Sequence, residues 1–232
     1  MKRAFPGIVT LLVLLSAAAA SFAEEGFSSL FDGKTLDGWT QRNGKATYRV
    51  EDGAIVGRTA KNSPNSFLCT DKAYCDFELL FEVDVDCGLN SGVQIRSRSS
   101  EDYKNERVHG PQVEIECAPG ESGYIYGEAT GRGWLSPDRS VKDAYTNGQW
   151  NRYRVLAVGP RVQVWVNDVP VADLTDEASS KCGVIGLQVH RVGDRGPFEV
   201  RWRNIRIKDL APEKSKAAQD VQFTPAPDVK KK

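Results

Sequence analysis

The sequence lacks several features that define large functional classes. Its 31 basic residues balance its 31 acidic residues and leave no basic stripe, so we expect no nucleic-acid partner. Its five cysteines and two histidines show no zinc-binding spacing. Beyond residues 1–23, no apolar run is long enough to cross a membrane. These absences direct attention to polar and aromatic residues on short structural elements.

The sequence also lacks a convincing amphipathic helix. Instead, short runs of alternating side chains recur between turn residues, and alternate side chains of a strand point to opposite faces. Residues 77–85 alternate apolar with mostly acidic side chains, and residues 150–173 read as a meander of three strands. This pattern predicts an all-β sandwich.

The two ends of the chain differ in composition from its middle. Lys2 and Arg3 precede an apolar run, and small residues suited to cleavage follow it, so residues 1–23 resemble a secretory signal peptide. We therefore expect an exported protein, periplasmic or extracellular, with one domain over residues 24–210. Residues 211–232 are rich in Pro, Ala and Lys, which predicts a flexible tail.

Export permits disulfide bonds between the cysteines. The five cysteines are Cys69, Cys75, Cys87, Cys117 and Cys182. An odd number predicts at least one thiol that is free or paired between chains. The spacing leaves the pairing open.

Three alternating runs, at residues 91–96, 112–116 and 185–190, place polar side chains at every second position. If these runs share one sheet, their polar side chains line one surface that suits a sugar. The members of this surface are Gln94, Arg96, Gln112, Glu114, Glu116, Gln188 and His190. The alternative is a solvated outer face, which antiparallel sheets commonly have.

A Gly-rich aromatic stretch follows the second of these runs. Loops carried on a rigid sheet often hold binding residues. Tyr126 and Trp134 are therefore candidates to stack on a sugar ring, and ordinary core filling is the alternative.

The sequence resembles the 3-keto-disaccharide hydrolase domain family over residues 27–210. The motifs that carry the resemblance lie, in the order of the family, at residues 30–39, 90–96, 110–114, 123–127, 150–151, 186–190 and 203–207. The resemblance implies a concanavalin-like jelly roll and a role in cleaving glycosides oxidised at carbon 3. Many members carry Glu and then Gln in the central strand, whereas here Gln112 precedes Glu114.

The chemistry that the resemblance implies needs a base, a positive group and an acid. A ketone at carbon 3 makes the hydrogen at carbon 2 acidic, so a base can form an enolate, the substituent at carbon 1 leaves, and water adds back. We predict Glu114 or His190 as the base and Arg96 as the group that stabilises the oxyanion. The predicted substrate-binding residues are Gln94, Gln112, Glu116, Tyr126, Trp134 and Gln188.

Three alternatives remain open. Glu114 and Glu116 lie on one strand face and could act as a glucanase-type pair on unoxidised sugar. The domain could instead be a lectin-like module that binds carbohydrate without turnover. A divalent metal is compatible with His190, Glu114 and Glu116 as ligands, although no spacing motif demands a metal or another cofactor.

A series of arginines follows the last of the polar runs. These arginines are Arg191, Arg195, Arg201, Arg203 and Arg206. We interpret them as solvent-side strand positions rather than as an anion site.

Overall fold

The structure is a computed structural model that describes residues 25–100, 103–104 and 106–219. The signal predicted for residues 1–23 lies outside these described residues. Within them, the chain forms fifteen strands and one short helix, and the strands build two antiparallel sheets. This is the all-β sandwich that the sequence predicts.

The larger sheet has eight strands. In spatial order they are β13 (Val169–Thr175), β12 (Arg161–Val166), β11 (Asn151–Val158), β6 (Phe77–Val85), β15 (Glu199–Asp209), β4 (Ala54–Arg58) and β3 (Thr47–Glu51), with β1 (Ser28–Ser29) also paired to β15. The predicted meander is confirmed, because β11, β12 and β13 are consecutive neighbours.

The smaller sheet has seven strands. In spatial order they are β10 (Gly133–Trp134), β9 (Ile125–Glu128), β8 (Gly110–Ile115), β7 (Ser91–Ser97), β14 (Val184–Val189), β5 (Ser66–Thr70) and β2 (Trp39–Arg42). The three polar runs therefore lie side by side on β8, β7 and β14, as predicted. In this register Gly92 is opposite both Glu114 and Gln188.

The core lies between the two sheets and follows from the alternation in each strand. On β6, Phe77, Leu79 and Phe81 are at most 2% exposed, while the alternate, mostly acidic positions of the strand are half-buried. Phe81 stacks on Tyr153 of the neighbouring strand, with ring centroids 4.9 Å apart. Each such side chain contributes roughly 1.5–3 kcal/mol by its removal from water. This packing makes the inner faces of the sheets rigid supports for whatever the outer faces carry.

Two disulfide bonds link the sheets near the ends of β6. Cys75 pairs with Cys182, which precedes β14, and Cys87 pairs with Cys117, which follows β8. Cys69 is a buried free thiol, which confirms the expectation of at least one unpaired cysteine. Burial raises the pKa of the Cys69 thiol to about 12.

The prediction of a flexible tail is wrong for residues 211–219. A short helix, α1 (Pro212–Ala217), begins with a proline in its first turn and buries Ser215 against the sandwich. The main-chain amide of Cys75 donates to the Ser215 hydroxyl at 3.1 Å. Residues 220–232 lie outside the described residues. Over the described part of the chain, no helix is long and apolar enough to span a bilayer.

We expect Gln219→Ala to lower the free energy of unfolding by about 1–2 kcal/mol. The Gln219 side chain accepts from the Ala73 amide at 2.9 Å and donates to the Ala73 carbonyl at 3.0 Å and to the Ser215 carbonyl, so the substitution removes three hydrogen bonds. Urea unfolding measures the loss, and Lys216→Ala, at an exposed helical position, is the matched control. Equal stability of the two variants would show that the hydrogen bonds of the Gln219 side chain do not hold the helix in place.

Candidate functional site

A cleft of about 1110 Å³ opens over the outer face of the seven-stranded sheet. Its floor comes from β8 and β9, and its walls come from residues 62–65, from residues 190–195 and from Arg107 in the loop before β8. The volume suits a ligand of disaccharide size. Five of the predicted site residues line this cleft: Gln112, Glu114, Tyr126, Trp134 and His190.

Glu114 is the buried carboxylate at the centre of the floor. Its side chain lies on the polar face of β8, and the residue is 6% exposed. Asn90 donates its side-chain amide to Oε1 of Glu114, and Gln112 donates to Oε2 at 2.9 Å. Both oxygens are therefore held by protein donors, which fixes the orientation of the carboxylate.

A chain of hydrogen bonds runs through the floor and ends at Glu114. The Ser97 hydroxyl donates to the side-chain Oε1 of Gln94 at 2.6 Å, and the side-chain Nε2 of Gln94 donates to the side-chain Oε1 of Gln112 at 2.6 Å. Gln112 then donates to Glu114. Because each amide uses its oxygen on one side and its nitrogen on the other, the direction of the whole chain is set, and such networks rigidify a site.

Burial and hydrogen bonding act on Glu114 in opposite directions. Burial disfavours the charged form and is the largest cause, so it raises the pKa of Glu114 to about 7. The donors Asn90 and Gln112 lower the pKa and so limit this rise, whereas the nearby carboxylates Glu116 and Glu128 add to it. A carboxylate with a pKa near neutrality can both accept and release a proton under ordinary conditions.

Position 92 requires glycine because a larger side chain has no room there, and not because of its backbone conformation. A Cβ at this position would lie 2.5 Å from Cγ and Cδ of Gln112. Gln112 therefore crosses over Gly92 to reach both Gln94 and Glu114. Asn90, just before β7, donates to the carboxylate, and Gly92, within β7, makes room for the glutamine that supports it.

The second polar cluster joins the walls of the cleft to its floor. Arg107 forms an ion pair with Glu128 at 2.7 Å, and Asn65 donates to the same carboxylate at 3.2 Å. Asn65 also accepts from the main-chain amide of Arg191 at 2.9 Å. His190 is half-buried beside this cluster. Two loops and the end of β9 are thereby fastened together around the cleft.

His190 lines the cleft in a form set by its neighbours. Its Nδ1 lies 2.8 Å from the carbonyl oxygen of Arg191, so the proton of the neutral ring is on Nδ1 and Nε2 has a free lone pair. Burial is the main cause that lowers the pKa of His190. The imidazole is therefore a proton acceptor at neutral pH.

Two aromatic side chains form the wall at the β9–β10 end. Tyr126 and Trp134 are half-buried and meet edge to face, with ring centroids 5.2 Å apart. The Arg139 guanidinium lies 4.7 Å from the centre of the Trp134 ring. Both rings remain in the lining of the cleft, where an apolar sugar face can contact them.

The structure places Arg96 away from the cleft, so its predicted place on the polar surface is wrong. Arg96 has a φ of 49°, at a point where the pairing of β7 with β14 shifts register. Its guanidinium donates to the carbonyls of Cys75 and Gly159, at 2.5 and 2.6 Å, and pairs with Asp76 at 3.0 Å. Because alternation breaks here, the Arg96 side chain ties β7 to the residues before β6 and to the turn between β11 and β12.

Three other predicted residues are absent from the lining of the cleft. Glu116 bends into the next loop, where it accepts the main-chain amide of Glu121. Gln94 and Gln188 are fully buried, Gln94 as the support of Gln112. Both polar atoms of the Gln188 side chain lack a hydrogen-bond partner among the described residues.

The proposed ligands of a divalent metal are not brought together. Glu114 and His190 line the cleft, whereas the carboxylate of Glu116 is bound to a loop amide. Over the described residues, no group of three or more His, Cys, Asp or Glu side chains is placed to hold a metal ion.

The cleft also contains residues that the sequence analysis did not select. The most important are Asn65, Asn90, Arg107 and Glu128. Glu128 shares a face of β9 with Tyr126, so alternation could have identified it. Asn65 and Arg107 come from loops, and no periodic signal marks them.

The interpretation of the arginines after His190 as strand positions is wrong for two of them. Arg191 and Arg195 lie in the loop after β14 and line the cleft. Arg201 and Arg203 are on β15, where they pair with Glu199 and Glu82, each at 2.7 Å.

We expect Asn90→Ala to raise the pKa of Glu114 above that of the original protein. The variant removes a donor to the charged carboxylate, and the loss of such a bond favours the protonated form. Carbon-detected NMR titration of labelled glutamate measures the shift, with Glu114→Gln to assign the signal. Asn62→Ala is the control, because Asn62 lines the same cleft without bonding Glu114. An equal pKa in both variants would contradict the expectation.

We expect Gly92→Ala to destabilise the fold by about 1–3 kcal/mol, because the new methyl group collides with Gln112. Gln112→Ala removes the collision partner, so the double variant should lose less stability than the sum of the two single variants. Urea unfolding of the four proteins gives the coupling. Additive losses would mean that Gln112 moves aside at no cost.

Solved structures of similar fold come from carbohydrate-related proteins. A proposed glycosyl hydrolase from Parabacteroides distasonis has a TM-score of 0.58 at 23% identity, covering 80% of this chain and 94% of that one. The carbohydrate-binding module CBM66 from Bacillus subtilis has a TM-score of 0.52 at 20% identity, covering 73% of this chain and 94% of that one. The Crh5 transglycosylase in complex with NAG has a TM-score of 0.53 at 15% identity, covering 81% of this chain and 85% of that one.

At these identities the likeness concerns the fold, and it confirms the concanavalin-like jelly roll. No protein of curated function matches the chain. The sequence model of the 3-keto-alpha-glucoside-1,2-lyase-like domain matches residues 26–208, which is most of the chain. The protein therefore belongs to the 3-keto-alpha-glucoside-1,2-lyase-like domain family, as its sequence motifs predict.

Proposed function

We propose that this protein cleaves glycosides oxidised at carbon 3, by elimination followed by hydration. The observation that carries the proposal is Glu114, a buried carboxylate held by two amide donors in the floor of a cleft that also contains aromatic rings and His190. Family membership supports the same chemistry. The sugar ring would lie against Tyr126 and Trp134, with its carbon-2 hydrogen directed at Glu114.

Glu114 is the proposed base of the elimination. It takes the proton from carbon 2, and the ketone becomes an enolate with its negative charge on the carbon-3 oxygen. The enolate then returns to a ketone, a double bond forms between carbons 1 and 2, and the bond from carbon 1 to the leaving oxygen breaks. Glu114 then returns its proton to the leaving oxygen. Proton transfer of this kind contributes about 10²–10⁴-fold to a rate.

Arg107 replaces Arg96 as the proposed partner of the enolate oxygen. It lines the cleft, and its side chain is 39% exposed, so its guanidinium is open to a ligand. A cation at this place favours the negative charge that develops on the carbon-3 oxygen. Glu128 pairs with the Arg107 guanidinium at 2.7 Å and so positions it.

His190 is the proposed base of the hydration step. Water adds at carbon 1, its proton passes to the free Nε2 of His190, and carbon 2 is protonated in turn. The product is the oxidised sugar with a hydroxyl at carbon 1. Glu114 thus accepts a proton in the elimination step, and His190 accepts one in the hydration step.

Export is part of the proposal. The basic and apolar character of residues 1–23 motivates it, and the two disulfide bonds support it, because such bonds persist in oxidising compartments.

We expect Glu114→Gln to lower kcat/KM on an oxidised disaccharide by about 10²–10⁴-fold. His190→Ala should slow hydration and let the eliminated intermediate accumulate. Product analysis by mass spectrometry separates the two effects, with the unoxidised disaccharide as the substrate control. Glu116→Gln is the matched variant, since its carboxylate lies outside the lining of the cleft. Full turnover by Glu114→Gln would remove Glu114 from the mechanism.

The same role predicts how activity depends on pH. Because the pKa of Glu114 is raised to about 7, the carboxylate keeps its proton below that pH and cannot act as a base. We expect kcat/KM to rise with pH through about 7 and then to level off. A profile measured from acid to mildly alkaline pH checks this. A flat profile, or the same rising limb in Glu114→Gln, would assign the pH dependence to another group.

A carbohydrate-binding module without turnover is the second candidate. The likeness of the fold to CBM66 and the amide-rich floor favour it. Saturable binding of oxidised and unoxidised sugar without any product, unchanged by Glu114→Gln, would establish this function. The glucanase alternative has less support, since Glu116 is bound to the Glu121 amide rather than placed in the cleft.

A further inference from the structure

One end of the cleft presents two cations without counter-ions. Arg191 and Arg195 line this end and are exposed. Among the residues that the structure describes, neither guanidinium has a carboxylate partner or a hydrogen-bond acceptor. Other exposed arginines do have partners: Arg161, for example, pairs with Asp173 at 2.6 Å. The two arginines at the cleft are therefore available to a ligand.

The loop that carries these arginines is fixed in place. Gly193 adopts a φ of 65° between them, and its carbonyl accepts the main-chain amide of Asn62 at 2.6 Å. The Asn65 side chain holds the main-chain amide of Arg191 at 2.9 Å. Two loops thus brace each other at the mouth of the cleft, and the arginines project from a supported turn.

The carboxylates of the cleft do not cancel this positive charge. Glu128 is already paired with Arg107 at 2.7 Å and bonded by Asn65. Glu114 is held by its own amide donors on β8. Asp194, in the same loop, does not line the cleft, and it is one acidic residue against two arginines. This leaves an excess of positive charge at the end formed by residues 190–195, beside the half-buried His190.

The positions of these groups along the sheet define two halves of the cleft. Tyr126 and Glu114 are on β9 and β8, whereas Arg191 follows β14, which lies beyond β7. Two strand spacings, about 10 Å, therefore separate β8 from β14. In the proposed reaction, a glycoside with its sugar ring over Tyr126 and its carbon-2 hydrogen at Glu114 would extend its leaving group from carbon 1 toward the arginines.

We propose that Arg191 and Arg195 form a subsite for an anionic group on the leaving-group part of the glycoside, so that the favoured substrates are 3-keto-glycosides of acidic aglycones. This subsite rests on the proposed function, because the reaction fixes which part of the substrate faces the loop. A planar guanidinium suits a carboxylate, sulfate or phosphate equally, since each offers paired oxygens.

The test compares two nearly isosteric glycosides oxidised at carbon 3, one with a meta-carboxyphenyl and one with a meta-carbamoylphenyl leaving group. We expect the original protein to favour the carboxyphenyl glycoside by about tenfold in kcat/KM, as a charge-assisted hydrogen bond allows. The double variant R191Q/R195Q should lose this preference and cleave the carbamoyl glycoside within about twofold of the original rate. High salt should reduce the preference as well.

The control variant R58Q/R161Q removes the same charge from the other sheet and should keep the preference. Equal cleavage of the two glycosides by the original protein, or a preference that survives in R191Q/R195Q, would overturn the subsite while the proposed function stands. A third substrate, the oxidised glucuronide of a neutral phenol, carries its negative charge on the sugar. If the protein prefers this glucuronide to the carboxyphenyl glycoside, the anionic group binds as part of the sugar, and the subsite is overturned.

Failure of the proposed function is distinguishable from failure of the subsite. If neither oxidised glycoside is cleaved, calorimetry with the unoxidised pair decides. Tighter binding of the carboxyphenyl glycoside, lost in R191Q/R195Q and retained in R58Q/R161Q, supports the subsite. Equal binding of the pair, or no binding, overturns it.

Discussion

The hydrogen bonds to Glu114 are the constraint on which the site depends. A carboxylate with 6% exposure is costly to ionise, and two amide donors from Asn90 and Gln112 offset part of that cost. Those donors are useful only if they are themselves fixed. Gln94 and Ser97 fix Gln112, and the missing side chain of Gly92 gives it room. Three positions of β7 therefore support a single carboxylate on its neighbour β8.

Much of the fold follows from alternation alone. The apolar positions of β6 and the turn residues between β11, β12 and β13 suffice to predict a sandwich, because each strand buries every second side chain. The sequence pattern does not predict the helix α1, since it is short and docks through Ser215 and Gln219 rather than through an apolar stripe. The pairing of the cysteines could not be predicted from the sequence either, because it depends on which strand ends lie next to each other in the fold.

The floor of the site could be predicted best where the strands are regular. Gln112, Glu114 and Tyr126 lie in the cleft because their strands keep the period of two. Arg96 departs from that period at a bulge, and Glu116 lies just past the end of β8, so the same rule fails for both. The walls of the cleft come from loops, and their position is decided by long-range bonds such as that of Asn65 to Glu128.

The two hydrogen bonds that side-chain amides donate to Glu114 also restrict where its acidic hydrogen can go. Each carboxylate oxygen already accepts one donor from the protein, Asn90 on Oε1 and Gln112 on Oε2. A hydrogen that binds to the carboxyl group must occupy a lone pair that these amides leave free. This hydrogen cannot pass into the interior of the floor, since Gln94 and Ser97 already use their side chains in the hydrogen-bond chain that supports Gln112. Glu114 consequently exchanges hydrogen ions with whatever fills the cleft and not with the sandwich behind it.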